Sequence, residues 1–87
     1  MNISCKELPK GALALRVHPE GDYGSAWTWG CVVIPDGDIA IITLAASAPT
    51  DSERESASNL LKKLGYKYVK WERMKDNKVR ITRAFQL

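Results

Sequence analysis

The sequence predicts an α+β fold of order β-β-β-α-β-β, with a single amphipathic helix packed on an antiparallel sheet. Three observations predict it. Residues 27–46, WTWGCVVIPDGDIAIITLAA, are two apolar runs joined by Pro-Asp-Gly-Asp, the chemistry of a turn between strands. Residues 50–65 hold a capping sequence, an apolar stripe of helical period and a terminal glycine. Residues 66–85 are rich in aromatic and β-branched residues on both sides of Asp76-Asn77, as in a second hairpin. At 87 residues the chain has room for one small domain, 1–87, and its 26% of charged residues suits an ordinary globule rather than a disordered tail.

In chain order, residues 1–10 are polar and are expected to be a loosely held lead-in. Leu13, Leu15 and Val17 alternate with Ala14 and Arg16, which predicts a first strand, stopped by the Pro and Gly of residues 18–25. In the central hairpin, pairing Ile34 with Ile39 puts Trp27, Trp29, Cys31 and Val33 on one face with Ala40, Ile42, Leu44 and Ala46. The other face carries Val32, Ile34, Ile39 and Ile41 and is hardly less apolar, so it needs a second cover or a partner.

Thr50-Asp51-Ser52-Glu53 is a capping box, acidic residues occupy the first turns and Lys62 and Lys63 the last, and Gly65 stops the helix. Ala57, Leu60, Leu61 and Leu64 form its apolar stripe, expected to meet Trp27 and Trp29. An even two-residue loop in the last hairpin pairs Met74 with Val79, Glu72 with Ile81 and Tyr68 with Phe85. The opposite face then pairs Trp71 with Thr82, Arg73 with Arg80 and Lys75 with Lys78. A one-residue bulge would exchange these faces.

Candidate chemistry is sparse. His18, Glu20 and Asp22 lie in one polar turn and could hold a divalent ion or serve a small enzyme, although turn chemistry explains the same residues without a ligand. Asp36 and Asp38 flank a glycine as a tight turn requires. No serine stands in a nucleophile-elbow context, and no glycine-rich phosphate loop precedes the helix. Cys5 and Cys31 cannot complete a four-ligand zinc site. The N-terminus lacks the apolar core of an export signal, so the expectation is two reduced thiols in a cytoplasm, with no membrane segment, no metal and no cofactor.

Residues 57–66, ASNLLKKLGY, resemble the helix-to-strand joint of the acyl-CoA-dependent N-acetyltransferases of the GNAT superfamily. The likeness extends over residues 51–83, about a third of the chain. The glycine-rich pyrophosphate loop of that superfamily is missing, and no functional residue is carried over from it.

Charge is divided along the chain. Residues 1–61 hold four basic and eight acidic residues, whereas residues 62–87 hold nine basic and two acidic. In the last hairpin Lys67, Trp71, Arg73, Lys75, Lys78, Arg80 and Arg83 interleave cations with an aromatic ring, a pattern suited to single-stranded nucleic acid or an acidic surface. The plainer explanation is an edge hairpin kept soluble by its charges. The expectation is a small, non-catalytic binding protein with a protein partner, a homodimer being the simplest form, through Val32, Ile34, Ile39 and Ile41. The alternative is a nucleic-acid-binding module using the basic hairpin.

Overall fold

A computed structural model describes residues 2–7, 11–18 and 26–87. The strands are β1 (Asn2–Glu7), β2 (Leu13–His18), β3 (Trp29–Asp36) and β4 (Ile39–Thr43). Helix α1 (Asp51–Lys63) follows, then β5 (Tyr68–Lys75), β6 (Lys78–Ile81) and β7 (Phe85–Gln86). The sheet order is β1-β2-β3-β4-β5-β6, and β7 also pairs with β5. The α+β fold and its expected order are present as β2-β3-β4-α1-β5-β6, with one strand added at each end.

The sheet is mostly antiparallel. The exception is β4 and β5, which run parallel with Ala40 beside Val69 and Ile42 beside Trp71. Helix α1 carries the chain back to the end where β4 began, so the next strand enters alongside β4 in the same direction.

Residues 2–7, expected to belong to a lead-in, form β1 by pairing with β2 from Asn2–His18 to Glu7–Leu13. Only Ile3 and Cys5 alternate there, too short a pattern to read as a strand. Pairing with the open edge of β2 supplies what local pattern lacks.

The central hairpin runs two residues further along β3 than expected, and its turn is shorter by the same two. Ile34 pairs with Ile41 rather than Ile39, and Asp36 pairs with Ile39. Gly37 has φ +60 in the resulting two-residue turn, the first central position of a type II′ hairpin, so the turn needs only Gly37-Asp38. Because the shift is two residues, every side chain keeps its expected face.

Two residues of the expected Trp face leave it. Trp27 precedes the ladder and lies against Arg16 and over Gly30, where an added Cβ would come 3.4 Å from its ring. It is 45% exposed and does not meet the helix leucines. Leu44 follows the last residue of β4 with φ +51 and is exposed, as is Leu64 at the helix C-cap.

Both ends of α1 are closed by local hydrogen bonds. The Thr50 hydroxyl accepts from the Glu53 backbone N–H at 3.2 Å, and the Glu53 carboxylate accepts from the Thr50 N–H at 2.8 Å. At the other end the Gly65 N–H donates to the Lys62 carbonyl and the Tyr66 N–H to the Leu61 carbonyl, a Schellman closure made accessible by φ +96 at Gly65. Ala57 and Leu61 are buried against the sheet, and Leu60 packs beside them.

The core lies between α1 and one face of the sheet. It comprises Leu15, Val17, Trp29, Cys31, Val33, Ala40, Ile42 and Val69 with Ala57 and Leu61. Trp29 is fully buried, and its indole N–H donates to the Ser47 carbonyl at 2.7 Å. Trp71 meets it at a centroid distance of 6.4 Å, with the rings tilted by 47°.

The last hairpin has the expected register from Glu72–Ile81 to Lys75–Lys78. Its two-residue turn places Asp76 and Asn77 at φ +53 and +59, as a type I′ turn requires. Beyond Thr82 the register slips by one residue, so Phe85 pairs with Val69 and not with Tyr68. The Thr82 hydroxyl accepts from the Trp71 N–H at 3.0 Å and donates to the Arg83 carbonyl at 2.9 Å. An extra residue is therefore accommodated between Thr82 and Phe85, the bulge that turns Phe85 to the helix side.

Trp29 and Trp27 should respond oppositely to truncation. Trp29→Ala should cost about 3–5 kcal/mol, whereas Trp27→Ala should cost about 1 kcal/mol or less. Urea unfolding of the two variants measures the contrast, and equal losses would contradict the assignment of their faces.

Candidate functional site

The sheet presents two unlike surfaces, and strand alternation decides which residue belongs to each. On the side away from α1, β3 and β4 place Val32, Ile34, Ile39 and Ile41. Ile34 is 46% exposed and the other three are half-buried. Parallel pairing extends this surface to Tyr68 beside Ile39 and Lys70 beside Ile41. The last hairpin adds Ile81 and Val79, 54% and 59% exposed. No described element lies across this outer face. The four residues expected to need a cover thus form the middle of a wider apolar surface.

On the inner side α1 lies against β1 and β2, near one edge of the sheet. The floor at β5 is therefore left partly open. A groove of about 750 Å³ runs between the helix and β5–β7, within the range that small ligands occupy. Arg54, Ser58 and Lys62, four residues apart, line its helix wall. Val69, Trp71 and Phe85 line the opposite side with Glu72 and Arg73, and Ala45 and Ser47–Pro49 contribute from the segment before the helix.

The residues expected to form a basic surface do not act as one set. Trp71 and Arg73 line the groove, and Arg80 pairs with Arg73 on the same side of the hairpin. Arg83 lies in the bulge with its guanidinium 5.2 Å from the centre of the Phe85 ring. Lys67 and Lys62 line a small hollow that adjoins the groove at the C-terminal end of α1. Lys78 is exposed beyond Arg80; Lys75 is described through its backbone, paired with Lys78. Sequence reasoning missed Arg54, Ser58 and Phe85. The i, i+4, i+8 spacing of Arg54, Ser58 and Lys62 was the available signal for the helix wall, whereas nothing local marks the bulge that brings Phe85.

Charge in the groove is unbalanced. Among the described residues the only ion pair is Arg54 with Asp51, at 4.0 Å and exposed, which contributes little. The Glu72 carboxylate is taken by the Thr43 hydroxyl, with the Leu44 N–H at 3.5 Å. Glu72 also lines the groove, but among the described residues it makes no ion pair with Arg73 or Lys62, and it stands against three cations.

The remaining candidates have structural settings. His18 is buried, and its Nδ1–H donates to the Ala26 carbonyl at 3.1 Å. Glu20 and Asp22 lie outside the described residues, and those described contain no group of three metal-ligating side chains. Asp36 precedes the type II′ turn and Asp38 is its second central residue, whose carbonyl accepts from the Lys67 N–H at 2.8 Å. Cys5 and Cys31 both register with Leu15, from opposite sides of β2. Two strand spacings put them about 10 Å apart, beyond the reach of a disulfide. Burial pushes the Cys31 thiol up to about 12, which leaves it protonated and unreactive at neutral pH.

No family model, curated protein or solved structure matches this chain. Among the described residues no helix is long and apolar enough to cross a membrane.

Glu53 fixes the helix that forms the groove wall. The Thr28 hydroxyl donates to its carboxylate at 2.6 Å, joining the start of α1 to the entry of β3. That bond and the one from the Thr50 N–H hold its pKa below the ordinary carboxylate value, against the opposing effect of burial. A carboxylate whose pKa is lower in the folded state stabilises the fold above its unfolded pKa, and this is lost as pH falls through the folded value. Glu53→Gln should therefore cost about 1–3 kcal/mol at neutral pH. The difference from the parent should shrink as the solution is acidified through and below the ordinary carboxylate range. Urea titrations at neutral and acidic pH test this, and a pH-independent difference would argue against the carboxylate's role.

Proposed function

We propose that this chain is a small, non-catalytic binding protein that works in the cytoplasm through a protein partner seated on the outer face of its sheet, with a second copy of itself as the simplest partner. The observation that carries the proposal is the exposed apolar surface running from Ile34 through Tyr68 to Val79 and Ile81. A two-layer fold covers one face of its sheet with helix and ordinarily solvates the other with polar side chains. Here β3 and β4 give that second face four aliphatic residues, and β5 and β6 add three more large apolar ones. Contiguous apolar surface of this kind marks interaction sites, and a two-fold pairing of one patch with itself needs no further component.

Interspersed polar groups would give such an interface its direction. Lys70 lies beside Ile41, and Glu72 lies beside Ile81. Apolar contact would supply affinity, while the charges would restrict which partners and orientations fit.

Ile34→Asp and Ile41→Asp place a charge in the centre of this patch. Sedimentation at tens of micromolar protein should show the parent as a dimer and both variants as monomers. The thermal midpoint of Ile34→Asp should fall by only a few degrees, because that side chain already faces water. A parent that remains monomeric would remove the homodimer. Retained pairing in both variants would place the interface elsewhere.

A further inference from the structure

The groove on the inner side of the sheet calls for a ligand unlike the one proposed for the outer face, and it rests on separate residues. We infer that the groove between α1 and β5–β7 binds single-stranded nucleic acid, with bases against Trp71 and Phe85 and phosphates on Arg54, Lys62 and Arg73. Three features select this ligand class.

The first is charge. Arg54, Lys62 and Arg73 stand around one groove, and Arg54 alone has an acidic partner among the described residues, the exposed Asp51. The one carboxylate in the lining, Glu72, accepts from the Thr43 hydroxyl and is outnumbered three to one by these cations. An anion entering here would meet cations from two walls, the arrangement that gathers phosphates and releases their counterions.

The second is the aromatic lining. Trp71 is half-buried in the floor, held by Trp29 behind it, and Phe85 is 39% exposed beside it. The Arg83 guanidinium lies against the Phe85 ring. Rigid aromatic surfaces next to guanidinium groups suit unpaired bases, which offer a planar face whatever their sequence. In a duplex those faces are stacked away, so a single strand is preferred.

The third is extent. Arg54 and Lys62 are eight residues apart, about 12 Å along the helix. On the same side of the sheet, Arg73 is followed across the hairpin by Arg80, with Lys78 beyond it at the Lys75 pair. Like charges are thus placed opposite one another, which is unfavourable unless solvent or an anion separates them. A free mononucleotide would occupy the groove and leave this continuation unused, whereas a strand would follow it.

The test is fluorescence anisotropy with labelled ten-nucleotide oligo(dT) and oligo(U), a duplex of the same length, and thymidine monophosphate as competitor. Single strands should bind at about 50 mM salt and lose roughly 20- to 50-fold in affinity by 200 mM, as expected for three to four neutralised phosphates. The duplex should bind at least tenfold more weakly, and the mononucleotide should compete only at far higher concentration. Lys62→Glu and Arg73→Glu should each reduce affinity about tenfold or more and flatten the salt dependence. Phe85→Ala should lose about fivefold or more through stacking. Lys63→Glu makes the same charge change next to Lys62 but outside the groove lining, and it should change affinity less than threefold. Circular dichroism of each variant separates lost binding from lost fold. Absence of single-strand binding at low salt, equal losses in Lys62→Glu and Lys63→Glu, or competition by the mononucleotide at the oligonucleotide's own concentration would each overturn the inference. The oligomeric state of the same samples reports separately on the outer face.

Discussion

The structure depends on the burial of Trp29 between the sheet and the helix. Its side chain is fully buried, and its indole N–H reaches the Ser47 carbonyl in the segment joining β4 to α1. Burying a tryptophan supplies apolar contact, but it also requires a partner for the indole donor. The Ser47 carbonyl meets that requirement and ties the start of the crossover to β3. Glu53 makes a second tie a turn later, accepting from Thr28 next to Trp29 in sequence. The helix is therefore held at its N-terminal end by two bonds to one short stretch of chain, and its apolar side lies on the core from there.

This anchoring has consequences for both surfaces. Because α1 lies toward β1 and β2, it buries the Leu15, Val17 and Trp29 side of the sheet and leaves β5 partly open. The groove is the gap between where the crossover must end and where the helix finds its best cover. On the other side of the sheet the single helix can offer nothing, since one helix covers one face. The exposed isoleucines and the basic groove thus follow from the same economy of elements: the seven strands and one helix of the described residues leave more sheet than the helix can cover.

Much of this was legible in the sequence where local chemistry decides the outcome. Thr50 with Glu53 and Gly65 fixed the helix ends, and the alternation of Trp29, Cys31, Val33, Ala40 and Ile42 identified the core face even though the hairpin register moved by two residues. What was not legible arose from pairing at a distance. Strand β1 exists because the edge of β2 was open, not because Ile3 and Cys5 announce it. Parallel pairing of β4 and β5 follows from the path through α1, which no residue of either strand encodes alone. Trp27 looked like a partner of Trp29, but the ladder ends between them, and the absence of a side chain at Gly30 gives the Trp27 ring a place on the opposite side. The slip at Thr82 is the most consequential case. It depends on one hydroxyl bonding to the Trp71 N–H, and it exchanges the face of Phe85, hence the composition of the groove.

The division of charge along the chain takes on a definite meaning in three dimensions. An acidic first part and a basic last part could neutralise each other by pairing, in which case the basic hairpin would have no outward role. Among the residues whose side chains are described, no cation of β5 or β6 makes such a pair. Asp36 precedes a turn and Asp38 stands in it, Asp51 and Glu53 serve the helix N-terminus, and Glu72 accepts from Thr43. Charges separated by more than about 8 Å interact only weakly at physiological salt, so a balance in the total does not quench a local excess. The groove keeps a local excess of cations, Arg54, Lys62 and Arg73 against Glu72, while the opposite face is largely apolar.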